Sequence, residues 1–454
     1  MKFRRDISDY RNVEGIAAIV KNGLCHRCGA CVGICPAGTL SLNGEGFPKQ
    51  TSECINCNRC VQVCSGIVVD CESMGRDMFG ETYRYGPALG EFIDTVVAHA
   101  TDEEIRWCGA SGGVITQLLV YLLESGQIKG ALVAVQHRDD PSMGEGILAR
   151  TREELVAAAQ SRYTTTPSLT ALKDMSGEDG PFAVVGLPCQ IHSVRMLQKV
   201  DKSWARKVVL TIGLVCSHNP PCIATREVAA MFSRGKAQLE KAHYRQSDQR
   251  GWPHDTVELK YSNGEVRRSP FGPAETVTLL KNLYPLGRCL MCVDATAEFA
   301  DIGVADPWIR NEKGYWRYTD PGGWSSLIVR TEKARQDLQS AVDAGKLVMH
   351  PQPPAEIEAG QYRMMSTKKI KVPCRLLWRK WFGWPVPFVT ASLPKSSPWL
   401  MARSLVYMAT RVIPVWKPFR LFLLRLGFSR VGIRLMAFRK EQKRKKAVEK
   451  AARL

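Results

Sequence analysis

Cys25-His26-Arg27-Cys28-Gly29-Ala30-Cys31-Val32-Gly33-Ile34-Cys35-Pro36 is repeated in spacing by Cys54-Ile55-Asn56-Cys57-Asn58-Arg59-Cys60-Val61-Gln62-Val63-Cys64-Ser65. Each run reads Cys-x2-Cys-x2-Cys-x3-Cys, the spacing at which thiolates hold a pair of 4Fe–4S clusters. Three cysteines of a run wrap one cubane, and the fourth crosses to the other. The expected ligand sets are Cys25, Cys28, Cys31 and Cys64, and Cys54, Cys57, Cys60 and Cys35. Pro36 follows its cysteine as the motif asks. Ser65 stands in the second proline's place, where no ligand is lost. Gly29, Gly33 and Asn58 suit turns that aim backbone N–H groups at cluster sulfur. Zinc is the competing reading, but CxxC zinc sites usually pair two by two rather than four by four.

Outward from this module the pattern changes. The chain's 454 residues leave room for two to four domains. A short helical lead is expected over 1–20 and a Gly- and Tyr-containing connector over 73–90. Beyond 91, β-branched runs (95–98, 131–135, 182–185, 208–212, later 255–261 and 325–330) alternate with helical stretches (113–124, 152–159, 168–175, 190–200, 274–283, 332–344). Strand–helix alternation predicts an α/β body with a mostly parallel sheet. The whole is expected to be an α+β ferredoxin-like two-cluster module over 15–72, that body, and an α-helical basic C-terminal tail over 373–454. Pro351-Gln352-Pro353-Pro354 reads as the end of the compact body.

Four cysteines in the body are placed by the strands. Cys189 follows the 182–185 strand and opens a helix, where a thiolate is favoured. Cys216 ends the 208–215 strand, and in a parallel sheet both positions open into one crevice. Cys289 and Cys292 form a CxxC loop. Together the four can hold a third 4Fe–4S cluster, or serve as small buried hydrophobes. Cys71, Cys108, Cys222 and Cys374 follow no pattern and read as buried thiols. Ser111-Gly112-Gly113 turns into the apolar run from Val114 to Leu123. Such a helix start is either a phosphate site or a plain N-cap.

These pieces resemble the coenzyme F-420 hydrogenase/dehydrogenase beta-subunit family. The matching motifs, in order, are Ala110-Ser111-Gly112-Gly113-Val114, Gly126-x-Ile128-x-Gly130, Ser161-Arg162-Tyr163, Val185-Gly186-Leu187-Pro188-Cys189-Gln190-Ile191, Gly213-Leu214-Val215-Cys216, Cys289-x2-Cys292-x-Asp294, Glu298-x-Ala300-Asp301-Ile302 and Gly323-Trp324-Ser325. With the cysteine module they span about 20–350. Ala305-Asp306 departs from the family's Gly-Asp. The resemblance implies FAD near Ser111, Gly112 and Gly113. It implies the family's flavin-binding N-terminal α/β domain over 91–175 and its C-terminal α/β domain over 176–350. It also implies a cluster on Cys189, Cys216, Cys289 and Cys292. A flavin reconciles one-electron clusters with two-electron organic acceptors. Tyr163, His192, His218 and Asp306 are the candidate proton donors.

Charge is divided unevenly. Of 63 Lys/Arg and 44 Asp/Glu, 23 bases but only Glu441 and Glu449 lie in 361–454, so the rest carries 40 bases against 42 acids. The tail mixes those bases with Trp378, Trp381, Trp384, Trp399 and Trp416, and 399–412 and 419–440 read as amphipathic helices. Such helices suit an anionic membrane surface or a partner subunit, with nucleic acid the third choice. The start Met1-Lys2-Phe3-Arg4-Arg5-Asp6 leads into no apolar signal run. The chain is expected in the cytoplasm, peripheral at most to the inner membrane face. Two functions are open. One is a reductase or dehydrogenase passing electrons between a redox partner protein or ferredoxin-like donor, the clusters, FAD and an organic hydride acceptor (a deazaflavin-type coenzyme or another small molecule). The other is a non-catalytic electron-transfer subunit of a larger hydrogenase or dehydrogenase complex.

Overall fold

The computed structural model describes residues 12–451 except 87, 234–236, 247–250, 392–393 and 395. Most of the expected lead, 1–11, lies outside the described residues. The cysteine module runs from a helix at Asn12–Lys21 through short helices at Ala30–Gly33 and Arg59–Gln62, with hairpin β1 (Leu40–Leu42) and β2 (Pro48–Gln50) between them and β3 (Val68–Val69) after. The repeat seen in sequence is also a repeat of backbone shape. Arg27 and Asn56 have φ of 60° and 57°, and Gly29 and Asn58 have 87° and 59°, at equivalent places in the two runs. Asparagine and glycine tolerate this left-handed region. It turns Arg27 N–H toward Cys25 Sγ (3.3 Å) and Asn56 N–H toward Cys54 Sγ (3.4 Å).

The body is built on one eight-stranded sheet that takes strands from both 91–175 and 176–350. Its strands are β4 (Asp94–Ala100), β5 (Gly130–Gln136), β6 (Gly144–Ala149), β7 (Phe182–Gly186), β8 (Val208–Leu214), then β12 (Ile302–Ala305), β13 (Ser325–Val329) and β14 (Leu347–Pro351). Their order is β14-β4-β13-β12-β8-β7-β5-β6. The pairs β5/β7, β7/β8 and β8/β12 are parallel and the other four antiparallel. The sheet is therefore mixed, not mostly parallel as strand–helix alternation suggested. The physical reason lies at the margins. β6 returns from β5 through the turn at Asp140-Pro141-Ser142, closed by Asp140 Oδ1 accepting from Ser142 N–H at 3.0 Å, and β13 and β14 run against β4. Only the centre keeps the crossover geometry that places strand ends in one crevice.

Side chains alternate across this sheet. Ala183 and Ala131 face a core with the helices Val114–Glu124 and Glu332–Asp343, while Phe182, Val184 and Leu132 face one with the helix Pro188–Val200. The second core also takes in Ala30, Ile34 and Val63 of the cysteine module, so the module is packed onto the body. A side sheet of β9 (Leu239–Gln246), β10 (Thr256–Tyr261) and β11 (Val266–Arg268) carries the helices Cys222–Phe232 and Pro273–Leu283.

Pro351–Pro354 does not end the compact body. A helix at Pro354–Met365, a π-helical turn at Ser366–Ile370 and a helix at Lys371–Trp381 continue into it, with Lys368, Lys369, Val372, Cys374 and Leu376 buried. β15 (Phe388–Val389) then pairs in parallel with β3 of the module. The reason is apolar content: Met365, Ile370, Val372 and Leu376 give this basic stretch an inward face. Three further helices follow, Pro398–Val412, Lys417–Phe428 and Arg430–Ala451, so the amphipathic run predicted over 419–440 is broken at Ser429. Leu424 is buried against the side sheet, and Arg420 clamps Glu227 at 2.7 and 3.0 Å. No helix among the described residues is long and apolar enough to cross a membrane.

Candidate metal centres and cofactor site

Cys25, Cys28, Cys31, Cys60 and Cys64 line one common space in the module, beside Gly29 and Gly66. Burial, then the neighbouring thiols, pushes Cys25 and Cys64 up to about 12. Cys60, raised to about 11 by burial, borders this space and also has Cys57, Cys35 and Cys54 beside it. The structure thus brings Cys64 to the first run and Cys35 to the second. Cys35 differs in sign: burial raises it, but hydrogen bonds from Thr39 (Oγ1 at 3.2 Å) and nearby backbone outweigh this and lower its thiol. Thiols crowded in this way ionise only beside a cation. Among the described residues no three Cys, His, Asp or Glu close on a point that would hold one ion. Five thiols around one space, with no point among the described residues where three close on a single ion, fit a polynuclear centre better than a single tetrahedral zinc.

A second space lies in the body. Cys189 at the start of the Pro188–Val200 helix, Cys216 just past β8, and Cys289 and Cys292 at the 3-10 turn Gly287–Met291 all line it. Four cysteines from 189 to 292 converge because β7 and β8 are parallel neighbours and the 287–292 turn lines the same space at their carboxyl ends. The set fits a cluster by the same reasoning as the module. Burial first, then Cys292, Cys28, Cys289 and Cys216, pushes the Cys189 thiol far up. Cys71, Cys222 and Cys374 are buried elsewhere, and Cys108 is partly exposed.

The two spaces share a wall. His26, Arg27 and Cys28 line both, and Cys28 Sγ is 4.0 Å from Ser193 Oγ on the helix that carries Cys189. Sequence reading passed over three residues here. His26 borders both spaces. Arg288 is fully buried and donates to Gly66 O (2.8 Å) and Ser65 O (3.0 Å). Lys368 reaches the body space from the C-terminal segment, with Nζ 3.4 Å from Cys289 O. The one available signal for Lys368 was its position in an apolar stretch otherwise read as tail.

At the glycine turn, Gly112 and Gly113 both have positive φ. Gly112 N–H donates to Gly322 O and Gly113 N–H to Ser111 O (both 2.9 Å), and a Cβ on Gly112 would strike the Trp324–Ser325 backbone at 2.9 Å. These glycines shape the turn against the protein. The N–H groups left for an anion are those of Val114, Ile115 and Thr116, at the head of a helix with no side-chain cap. Ser111 Oγ donates to Asp306 (2.9 Å), which also receives both 2.9 Å bonds of Arg245; Arg245 is clamped from its other side by Asp255. Tyr163 stands beside this group with its hydroxyl pushed up by burial. Ser111, Tyr163 and Asp306 are thus together, while the two histidines are not. His192 is buried on Asp294 (2.9 Å) and Phe299. His218, lowered to about 3 by burial, accepts from Leu286 N–H (3.4 Å), away from this group.

Comparison with known proteins adds three domain matches. A 4Fe-4S dicluster domain matches over 17–65. The N-terminal domain of the coenzyme F-420 hydrogenase/dehydrogenase beta subunit matches over 95–173, and the C-terminal domain of that subunit over 180–355. The coenzyme F-420-dependent sulfite reductase of Methanocaldococcus jannaschii is 30% identical over 344 residues, covering 72% of this chain; the chain spans about half (47%) of that relative's length. The coenzyme F-420 hydrogenase subunit beta of Methanothermobacter thermautotrophicus is 28% identical over 66% of this chain and 99% of its own length. A chain of the F-420-reducing NiFe hydrogenase complex from Methanosarcina barkeri superposes with a TM-score of 0.51 at 25% identity, over 67% of this chain and 98% of its own.

Proposed function

This chain belongs to the coenzyme F-420 hydrogenase/dehydrogenase beta-subunit family, and we propose that it is an iron–sulfur flavoprotein oxidoreductase passing electrons between an external donor and an organic hydride acceptor. The observation that supports the reading is the wall shared at His26, Arg27 and Cys28, which joins the space lined by the module's cysteines to the one lined by the body's four. A carrier alone needs only the module; a third thiol set leading into the body points to chemistry there. Clusters on these thiols would exchange single electrons, and FAD, when bound, would exchange them for a hydride pair.

The chain's own residues supply the rest. Arg27 N–H and Asn56 N–H bond to ligand sulfur, which favours added negative charge. The N–H groups of Val114, Ile115 and Thr116 support an FAD phosphate at this helix start. Arg245 holds Asp306 in place through two bonds and Ser111 orients it, all three bonds accepted by its carboxylate; Tyr163, its hydroxyl pushed up by burial, is the proton donor of this group. Donors and acceptors come from outside, and the C-terminal helices present a docking face. Trp399, Trp416 and Phe438 are each more than 60% exposed among Arg403, Arg425, Arg434 and Arg439, suited to a redox partner subunit or an anionic membrane face.

Iron, sulfide and released flavin from anaerobically purified protein test the reading. About twelve irons and one FAD per chain support it. About eight irons without flavin leave the role of non-catalytic electron-transfer subunit, which is favoured by the relatives that are hydrogenase subunits.

A further inference from the structure

The body space lined by Cys189, Cys216, Cys289 and Cys292 has one wall from beyond the matched domains, which end at residue 355. A π-helical turn at Ser366–Ile370 widens the backbone there, as such turns do at many functional sites. It buries two successive lysines in different surroundings. Lys369 Nζ stands 2.8 Å from the Glu298 carboxylate, over the Tyr85 ring. Lys368, 1% exposed, has no carboxylate ion pair among the described residues; its charge faces Cys292, Cys216 and Cys289. Arg288 faces Cys292, Cys189 and Cys289 and also Cys64 of the module, and its Nη1 has no hydrogen-bond partner among the described residues. Two buried cations without carboxylates are costly unless negative charge stands beside them. A four-thiolate cluster provides that charge and becomes more negative by one on reduction, so a fixed cation nearby favours its reduced form.

We propose that Lys368 is a potential-setting residue: it holds the body centre at a higher potential than the adjoining Cys25–Cys28–Cys31–Cys64 centre, so that electrons run from module to body across the Cys28 wall. The step moves one electron, oxidising the module centre and reducing the body centre; no bond forms or breaks, and Lys368 keeps its proton. The inference rests on the reading of the four body cysteines as cluster ligands. It also gives the C-terminal segment a redox role, since that segment delivers the charge.

The test is a potentiometric titration of the full chain, followed by electron paramagnetic resonance, in wild type, Lys368→Gln and Lys368→Arg. Lys368→Gln is expected to keep its iron and shift the reduced-to-oxidised ratio of one centre at least tenfold toward oxidised, about 59 mV for a one-electron couple. The two module centres should not move, and Lys368→Arg should stay near wild type. Unchanged potentials in Lys368→Gln at full iron overturn the proposal, as does an equal shift in Lys368→Arg, which would make shape rather than charge the cause. If Lys368→Gln loses iron, Lys368→Arg decides: retained iron and potential support the charge, and loss in both overturns it. Wild-type protein holding only about eight irons fails at the body centre itself, which separates that failure from one of Lys368.

Discussion

Gly33 sets local preference against tertiary packing, and replacing it with Ala shows which one governs. Gly33 closes the Ala30–Gly33 helix and has no positive φ, so in isolation Ala is the better helix former by up to about 1 kcal/mol. In the folded chain a Cβ there would lie 2.0 Å from Leu169 O, with Thr170 O at 3.0 Å and Leu169 C at 3.1 Å. All three are backbone atoms without rotamers to yield. Restoring ordinary contact near 3.4 Å requires module and body to part by about 1.4 Å. The parting strains the bond from Leu169 N–H to Cys28 O, 3.0 Å long, at the very wall the two spaces share. Overpacking against backbone costs about 2–3 kcal/mol, opposite in sign to the local expectation. Urea unfolding of cluster-loaded protein reads the stability, and stopped-flow reduction reads transfer from module to body. Gly44→Ala is the control, since a Cβ at Gly44 meets nothing within 4 Å and its φ is not positive. Gly33→Ala as stable and as fast as Gly44→Ala would refute the docking of the module on 167–170.

Arg420→Ala should destabilise the chain by about 3 kcal/mol, because among the described residues it leaves the buried Glu227 carboxylate with Tyr284 as its hydrogen-bond partner. The double variant with Glu227→Ala should lose less than the two single losses added together; strict additivity in denaturant would sink the clamp. Burial, with Lys241 and Lys260 beside it, lowers His243 on β9 to about 4. The unfolded imidazole titrates near 6.5 and so takes up its proton first as pH falls. This contribution to stability is intact above about pH 6.5 and lost progressively down to about 4. His243→Gln should flatten the acid limb of stability over that window, and an unaltered pH slope would count against the assignment. Replacing Trp399, Trp416 and Phe438 together with Ser removes exposed side chains and should change stability little. It should abolish co-sedimentation with phosphatidylglycerol vesicles if the face meets lipid. Wild-type protein that ignores such vesicles points to a partner subunit, and binding that survives the triple change rules out this face.

The cysteine runs declared themselves in sequence because their information is local: each turn is set by the residues between two ligands, down to the left-handed positions at Arg27 and Gly29 and at Asn56 and Asn58. The central strands were legible for a similar reason, since β-branched runs at 182–185 and 208–212 need no distant partner to be recognised. Strand direction was not. β6, β13 and β14 run against their neighbours because of turn geometry and edge pairing, which apolar alternation does not encode. Cys189, Cys216, Cys289 and Cys292 were visible as a set, but their meeting in one space depends on β7 lying beside β8 and on the 287–292 turn lining that space. The tail misled for a physical reason. Net charge over 361–454 describes composition, whereas burial depends on which face of each turn carries Met365, Val372 and Leu376. Local chemistry in the sequence determined that this chain binds thiolate-ligated metal; only the tertiary structure decided that the two sets of thiols share a wall and that Lys368 stands at the inner one, because both depend on contacts between segments far apart in the chain.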